Sequence, residues 1–358
     1  MSHTVAILGA GIGAQHLDGY RALPDTFRVH TVCDLDTDRA AALAARAPGC
    51  RSTSDTGAVI GNAEIDIVDV CLPPHLHADI AIKAMQAGHH VVCEKPLAES
   101  VDAAERMIEA ARDCNRLLTP IFQYRFGPAF TQLQALVDAG LTGQPQVASL
   151  ETHWNRGADY YTVPWRGTWD HERGGAVLGH AIHIHDLITE CFGAVTAVSA
   201  MLDTRVNAIE TEDCGAITLR TASGAIVTSS ITLGAASDQS RLRLVYQHLT
   251  AESGTNPYAP GQDRWRFTAR QPAQQAEIDA VIGVTATGPA GYAGQFAELA
   301  AHLAGRPHRN VAADAGLRAL ELVAAIYRAD RIGQQVPLPL AKDDPYRSDW
   351  RPVARSGG

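Results

Sequence analysis

Five short apolar runs separated by alanine-rich stretches of 3.6-residue period fill the first 120 residues, and they constrain the fold more than any other feature of the chain. The runs are TVAILG (4–9), RVHTVCD (28–34), IDIVDVCL (65–72), HVVCE (90–94) and LLTPIF (117–122). Helical patterns lie near 14–22, 38–47, 77–87 and 100–114, with a short helix expected over 55–61. Strands that alternate with helices pair in parallel, and helices then cover both faces of the sheet. That is why these runs are apolar almost throughout instead of alternating. A doubly wound parallel sheet is expected here.

The texture changes from about residue 123. A helix near 128–139 ends at Gly140. Longer β patterns follow at 145–154, 194–203, 213–234 and 241–253, interrupted by one helix at about 175–191. Ser223-Gly224 marks a hairpin turn within 217–232. Runs of strands with few helices predict an antiparallel or mixed sheet, hence an α+β second domain. Because 358 residues exceed one ordinary core, the chain is expected to divide into domains at 1–122 and 123–358. The last helical patterns, 292–304 and 312–332, are free to pack back on the first domain. Residues 254–290, rich in Gly, Pro and Gln, are expected to be loop, and QVPLPLAKDDPYRSDWRP an extended tail.

A net charge of −9 argues against a nucleic-acid surface or a polybasic membrane contact. No apolar run is long enough to span a bilayer, and the first strand pattern begins at Thr4, which leaves no room for a signal peptide. The seven cysteines (33, 50, 71, 93, 114, 191 and 214) are odd in number and lack a CxxC spacing. They fit reduced, mostly buried thiols in a cytoplasmic protein.

The first run passes into GAGIGAQH. Gly9 and Gly11 permit a tight turn and a close backbone approach. After Ile12, Gly13 and Ala14 open a helix whose free N–H groups can hold a pyrophosphate. Either Ala14 or Gly13 is the third small residue of the GxGxxG/A pattern. Asp34 closes the second run, where a carboxylate accepts hydrogen bonds from the adenosine ribose and repels a 2′-phosphate. The cofactor expected is therefore NAD, on a Rossmann-type domain. The third run ends at Leu72-Pro73-Pro74, a stiff exit that suits a wall for a flat ring. His77 follows, as a candidate cofactor contact or a helix cap. Ligands of such sheets sit outside the carboxyl ends of the strands. There Glu94-Lys95-Pro96 ends the fourth run, and Gln123, Tyr124 and Arg125 follow the fifth. A lysine serves as acid or base when its pKa falls toward neutrality; the plainer alternative is a salt-bridging side chain.

GAGIGAQH, VCDLDTDRA, CLPPHLHADIAIKAMQAGHHVVCEKPLA, FQYRFGP, PWRGTW and GGAVLGHAIHIHDL occur in that order. Together they resemble the Gfo/Idh/MocA oxidoreductases over nearly the whole chain. The resemblance implies a Rossmann domain followed by a C-terminal domain with a large open, mostly antiparallel sheet that mediates homodimers or homotetramers. It also implies a nicotinamide cofactor, small polyhydroxylated substrates such as sugars or cyclitols, and no metal. Lys95 matches the family's catalytic lysine; Glu94 would help place the nicotinamide end, and Pro96 would set the backbone.

In the same family the later helix carries Asp-x-Gly-x-His-x-x-Asp. Here His183 and Asp186 match its histidine and last aspartate. Gly179 stands at the first aspartate, Ala181 at the glycine, and His180 is additional. With an α-helical period, 179, 183 and 186 share a face that 180 borders, and His185 points away. His183 is the second catalytic candidate, accepting or returning the hydroxyl proton or orienting the substrate. His180 and Asp186 are expected on the substrate side, though His180 equally fits packing between helix and sheet. A metal held by His180, His183 and Asp186 is not expected, because the cofactor already supplies the difficult chemistry. Tyr124, His153 and Arg166 are placed to hydrogen-bond hydroxyls or a carboxylate. Trp154 and Trp165 suit sugar platforms or a core. The expected function is hydride transfer between NAD(H) and a hydroxyl carbon of a sugar or cyclitol. The departures at Gly179 and His180 leave open a redox-neutral epimerase, lyase or glycoside-cleaving enzyme. A non-catalytic NAD or sugar sensor is the third reading, against which the Lys95/His183 pair counts.

Overall fold

The computed structural model describes residues 2–163 and 165–352. They form two compact units. One runs to Phe126 and includes Gly288–Leu317; the other holds Gly127–Thr287 and the residues from Arg318 onward, so that one division falls within the helix Ala313–Ile332.

The first unit contains strands β1 (His3–Leu8), β2 (Phe27–Cys33), β3 (Arg51–Thr53), β4 (Ile67–Val70), β5 (His90–Cys93) and β6 (Leu118–Pro120). They lie in the order β3-β2-β1-β4-β5-β6, and every pair is parallel. This is the doubly wound sheet expected. The three-residue β3 was not foreseen, since an edge strand with mostly exposed side chains leaves no apolar run. The connecting helices start at side-chain caps where the sequence supplies them: Asp36 accepts from Arg39 N at 3.0 Å and Ser100 from Ala103 N at 3.2 Å. The helix Val101–Asp113 buries Val101, Ala104, Met107 and Ala111 along one stripe.

The first compact unit takes in more than residues 1–122, as the expectation that the last helical patterns are free to pack back on it allows. Residues 123–126 and 288–317 belong to the first unit, because the helix Gly291–Leu303 supplies what the end of β6 lacks. Gln295, fully buried, accepts from Phe122 N at 3.0 Å and donates to Pro120 O at 2.7 Å, satisfying backbone that would otherwise be buried unpaired. Phe296 of that helix stacks on Tyr20 at 3.9 Å.

The second unit contains β7 (Pro145–Asn155), β8 (Val195–Asp203), β9 (Cys214–Thr221), β10 (Ile226–Thr232), β11 (Gly234–Tyr246), β12 (Leu249–Glu252), β13 (Arg266–Ala269) and β14 (Val336–Pro337). Their order is β13-β12-β11-β7-β10-β9-β8-β14, antiparallel throughout except for β7 beside β10. The hairpin turn falls at Ser223-Gly224, with Gly224 at φ +86° donating to Thr221 O. Two expectations fail. The stretch 254–290 is not all loop: it holds β13 and a helix, Gln275–Val284. Its Trp265 and Phe267 are buried on neighbouring elements, Trp265 lying 5.2 Å from Phe130 edge-on. Nor does the tail trail off. Val336 pairs with Val198, and Trp350, only 2% exposed, donates from Nε1 to Arg173 O at 2.6 Å. No described helix is long and apolar enough to cross a membrane.

Candidate active site

The carboxyl ends of β1, β2, β4, β5 and β6 bring most of the expected cofactor residues into one unit. A Cβ on Gly9 (φ +102°) would lie 2.2 Å from Cys71 O, so only glycine fits there. A Cβ on Gly13 would lie 2.7 Å from Ile7 Cγ2. Gly13, not Ala14, is therefore the small residue that lets the helix lie against β1. At Gly11 a Cβ would meet nothing within 4 Å, leaving its backbone open to a ligand. Asp34 accepts from Ala10 N (2.7 Å) and Asp36 N (2.9 Å), and from Arg39 Nε (3.2 Å) and Nη2 (2.7 Å). Burial opposes its ionisation, but Arg39 and the two amides prevail and hold the carboxyl below its usual range.

His77 requires correction. It is fully buried, with its ring nitrogens 2.9 Å from Pro96 O and 2.6 Å from Leu72 O. It braces the loops that carry Leu72-Pro73 and Lys95-Pro96 and does not present its ring to a cofactor. Gln123 donates to Tyr292 Oη at 3.3 Å, while its Oε1 is buried and accepts no hydrogen bond. Tyr124, in the turn after β6, is buried.

Beneath these loops lies a buried polar chain. His16 donates from Nδ1 to Asp69 Oδ2 (2.8 Å) and from Nε2 to Glu94 Oε1 (2.9 Å). Burial disfavours its charge, but Asp69 and Cys71 raise its pKa well above the usual value, so the ring is an imidazolium. Tyr292 Oη donates to Glu94 Oε1 at 3.2 Å, and Glu94 Oε2 accepts from Lys95 N at 2.9 Å. Glu94 was expected at the nicotinamide end; its carboxylate turns inward instead and fixes the backbone of Lys95 from below. His16, Asp69 and Tyr292 escaped the sequence reading. The available signal was Asp69, a charge inside an apolar strand that must find a partner. His16, Asp69 and Cys71 also place ligand-type atoms within 4.8 Å of one another, but both ring nitrogens of His16 already bond carboxylates. Among the described residues, His180, His183 and Asp186 do not converge in that way.

In the second unit the glycine pair 174–175 passes under Glu212. That side chain accepts from Val177 N (2.9 Å), Gly175 N (3.1 Å) and Tyr327 Oη (2.9 Å). A Cβ on Gly175 would lie 1.9 Å from Glu212 O. Burial pushes the Glu212 carboxyl up to about 7 against these donors. The chain then makes a π-helical turn, Val177–Ala181, before the α-helix Ile182–Phe192. The constant 3.6-residue period that put 179, 183 and 186 on one face does not hold across this junction. His183 and Asp186 remain one turn apart on the α-helix, 5% and 4% exposed. Gly179 and His180 sit on the wider turn, a feature frequent at functional sites. His185 bonds Ser229 Oγ at 2.9 Å on the sheet, and burial lowers its pKa to about 4.

His180 lies 4.8 Å from the Trp154 ring and 5.9 Å from Tyr160. The Arg166 guanidinium lies 3.8 Å above Tyr160 and 5.1 Å from Trp165. Arg156 lies 5.3 Å from the same Tyr160 ring and pairs with Asp238 at 2.8 Å. Trp154 is core, its Nε1 donating to Ser240 Oγ at 3.1 Å. His153 does not join this group. Strand alternation turns it to the opposite face of β7, where it bonds Ser230 Oγ at 3.0 Å.

Residues 3–122 match the model of the Gfo/Idh/MocA oxidoreductase family, NAD-binding Rossmann fold, and 130–252 match the Gfo/Idh/MocA C-terminal domain. An inositol 2-dehydrogenase of Paenarthrobacter aurescens is 32% identical, the match covering 64% of this chain and 69% of that one. The chain belongs to the Gfo/Idh/MocA family. A levoglucosan dehydrogenase of Pseudarthrobacter phenanthrenivorans is also 32% identical, over 62% of this chain; the chain spans 59% of the length of that relative. The WlbA dehydrogenase of Bordetella pertussis, solved with NADH and UDP-GlcNAcA, superposes with a TM-score of 0.82 at 26% identity, covering 95% of this chain and 98% of that one. As a Gfo/Idh/MocA oxidoreductase, the protein takes NAD on its first unit. The residues there fit that cofactor: open backbone at Gly11, a pinned carboxylate at Asp34, and a buried acceptor on Gln123 suited to a carboxamide N–H.

Proposed function

We propose that the protein is an NAD(H)-dependent dehydrogenase moving a hydride between nicotinamide and a hydroxyl-bearing carbon of a sugar or cyclitol. The observation that carries this reading is the anchoring of Lys95. Its backbone is tied to Glu94, and Glu94 to a buried imidazolium, at the strand ends where such sheets hold their ligands. Bound NAD supplies the hydride acceptor. Lys95 takes the proton of the reacting hydroxyl, starting from a fixed backbone position that limits the search for a reactive geometry. His183, with Asp186 one turn on, orients the substrate or relays that proton. Inositol and levoglucosan, named in two relatives, are polyhydroxylated in the way this reading requires. The active form in this reading is a cytoplasmic homodimer or homotetramer. It associates through the sheet face that exposes Val147, Ile226 and Met201 (46%, 47% and 74%).

The test is NADH formation from NAD⁺ across a panel of sugars and cyclitols. Lys95→Ala is expected to lose roughly 10²–10⁴-fold in kcat; normal turnover by that variant rejects the assignment. One observation favours a redox-neutral second reading: Gly179 places no carboxylate on the π turn. Product identification by NMR without net NADH separates an epimerase, lyase or glycoside-cleaving enzyme from a dehydrogenase.

A further inference from the structure

We infer that Tyr292 is a positioning residue of the cofactor site: acting through Glu94 and Gln123, its hydroxyl ties two strand ends together and thereby sets the nicotinamide half of NAD. A dinucleotide lies across the crevice at the carboxyl ends of such a sheet. The glycine turn after β1 takes the pyrophosphate and Asp34 after β2 the adenosine ribose, so the nicotinamide half runs the other way, over the ends of β4, β5 and β6. Glu94-Lys95 follows β5, and Gln123 lies in the turn after β6. Tyr292 bridges them, and all these residues belong to the first unit. Its Oη lies 3.2 Å from Glu94 Oε1 and 3.3 Å from Gln123 Nε2. The phenol has one proton to give. A carboxylate only accepts, so that proton goes to Glu94, and toward Gln123 the oxygen accepts from the amide N–H. A single hydroxyl thus steadies the carboxylate that seats the Lys95 backbone and selects which end of the Gln123 amide turns toward it. Burial raises the phenol's pKa and Glu94 adds to that, so the proton stays on Oη.

The fold brings this hydroxyl in closely and does not depend on it. A Cβ on Gly19 would lie 2.9 Å from Tyr292 Cβ, so a glycine in the helix Gly13–Arg21 makes room for the helix Gly291–Leu303. That second helix is held by other bonds: Gly291 N donates to Phe126 O at 3.0 Å, and Gln295 bonds Phe122 N and Pro120 O. The Tyr292 ring packs on His16 at 4.6 Å. Backbone and ring therefore secure the packing, and Oη supplies direction. Phenylalanine keeps the ring and loses only the two hydrogen bonds.

The experiment compares NADH with ADP-ribose, which lacks the nicotinamide, on the full chain and on Tyr292→Phe. Both ligands are titrated by calorimetry, and the emission of bound NADH reports how firmly the dihydronicotinamide is held. The variant is expected to bind NADH about tenfold more weakly, with less of the emission gained on binding. ADP-ribose is expected to stay within about twofold of the wild type. Gln123→Met opens the same bridge from its other end and should show the same selective loss. The double variant should lose about as much as either single one, because the two residues act as one unit. Equal weakening of both ligands overturns the inference, as does NADH binding that neither variant changes. A Tyr292→Phe chain that fails to fold also overturns it, since the hydroxyl would then be structural. The two readings fail separately: NADH bound with the expected selectivity but no sugar oxidised rejects the dehydrogenase and leaves this inference, whereas oxidation of sugars by a chain whose variants lose both ligands alike does the reverse.

Discussion

Two histidines, one in each unit, are equally buried and carry opposite charge states. His16 lies between Asp69 and Glu94 and is held protonated; His185 meets only the Ser229 hydroxyl and is held neutral, its pKa near 4. The acids repeat the contrast. Asp34, beside Arg39, is held ionised, while Glu212, among amides and a phenol with no cation, is pushed up to about 7. Burial by itself favours the neutral form of every one of these groups, and a partner of opposite charge reverses the outcome. The first unit keeps fixed charges under its strand ends. The second holds a neutral imidazole on the helix that carries His183 and, at the turn before that helix, an acid whose pKa is pushed up to about 7.

The comparison breaks most visibly at His16. His16→Leu leaves two carboxylates buried without their cation, and a loss of about 3–5 kcal/mol in chemical denaturation is expected. A loss below about 1 kcal/mol would show that the ring is not the charged partner described. Because its folded pKa is raised, its stabilisation is complete below pH 6.5 and disappears as pH rises through the folded value.

Glu212→Gln tests the opposite case. The unfolded carboxyl gives up its proton near 4.5 and the folded one near 7, so this group's contribution falls as pH rises between those values, by up to about 3 kcal/mol. Unfolding curves at several pH values should show that slope in the wild type and not in the variant. His185→Asn should remove a slope of similar size and opposite sign. The unfolded imidazole charges near 6.5 and the folded one near 4, so wild-type stability is lost as pH falls through that window. The smallest effect is expected of Gly179→Asp. A Cβ there meets nothing within 4 Å, and the denaturation midpoint should correspond to a change under about 1 kcal/mol. A larger loss would mean that this turn needs its glycine.

The same contrast explains how much could be read in advance. Five of the six Rossmann strands were legible, because a strand covered on both faces must be apolar along its length; β3, short and at the edge, left no such trace. The glycine loop and Asp34 were legible because their spacing follows from backbone geometry. Lys95 and His183 are proposed through the family pattern. His77 turns into the protein and not toward a cofactor, and the burial of the Glu94 carboxylate on His16 is not legible in the sequence. The helix Gln275–Val284 buries only Ile278 and so leaves no apolar stripe to read, and the anchored Trp350 is buried by elements far along the chain.

Local chemistry alone determined most of the elements, the parallel pairing implied by helical crossovers, and the strand ends at which NAD is expected. Tertiary structure alone decided which buried groups carry charge, the inward turn of Glu94, and the bonds of Tyr292 to Glu94 and Gln123. Each of these depends on partners 50 or more residues away or on another element, and the free energy of a buried charge depends on what stands beside it in space.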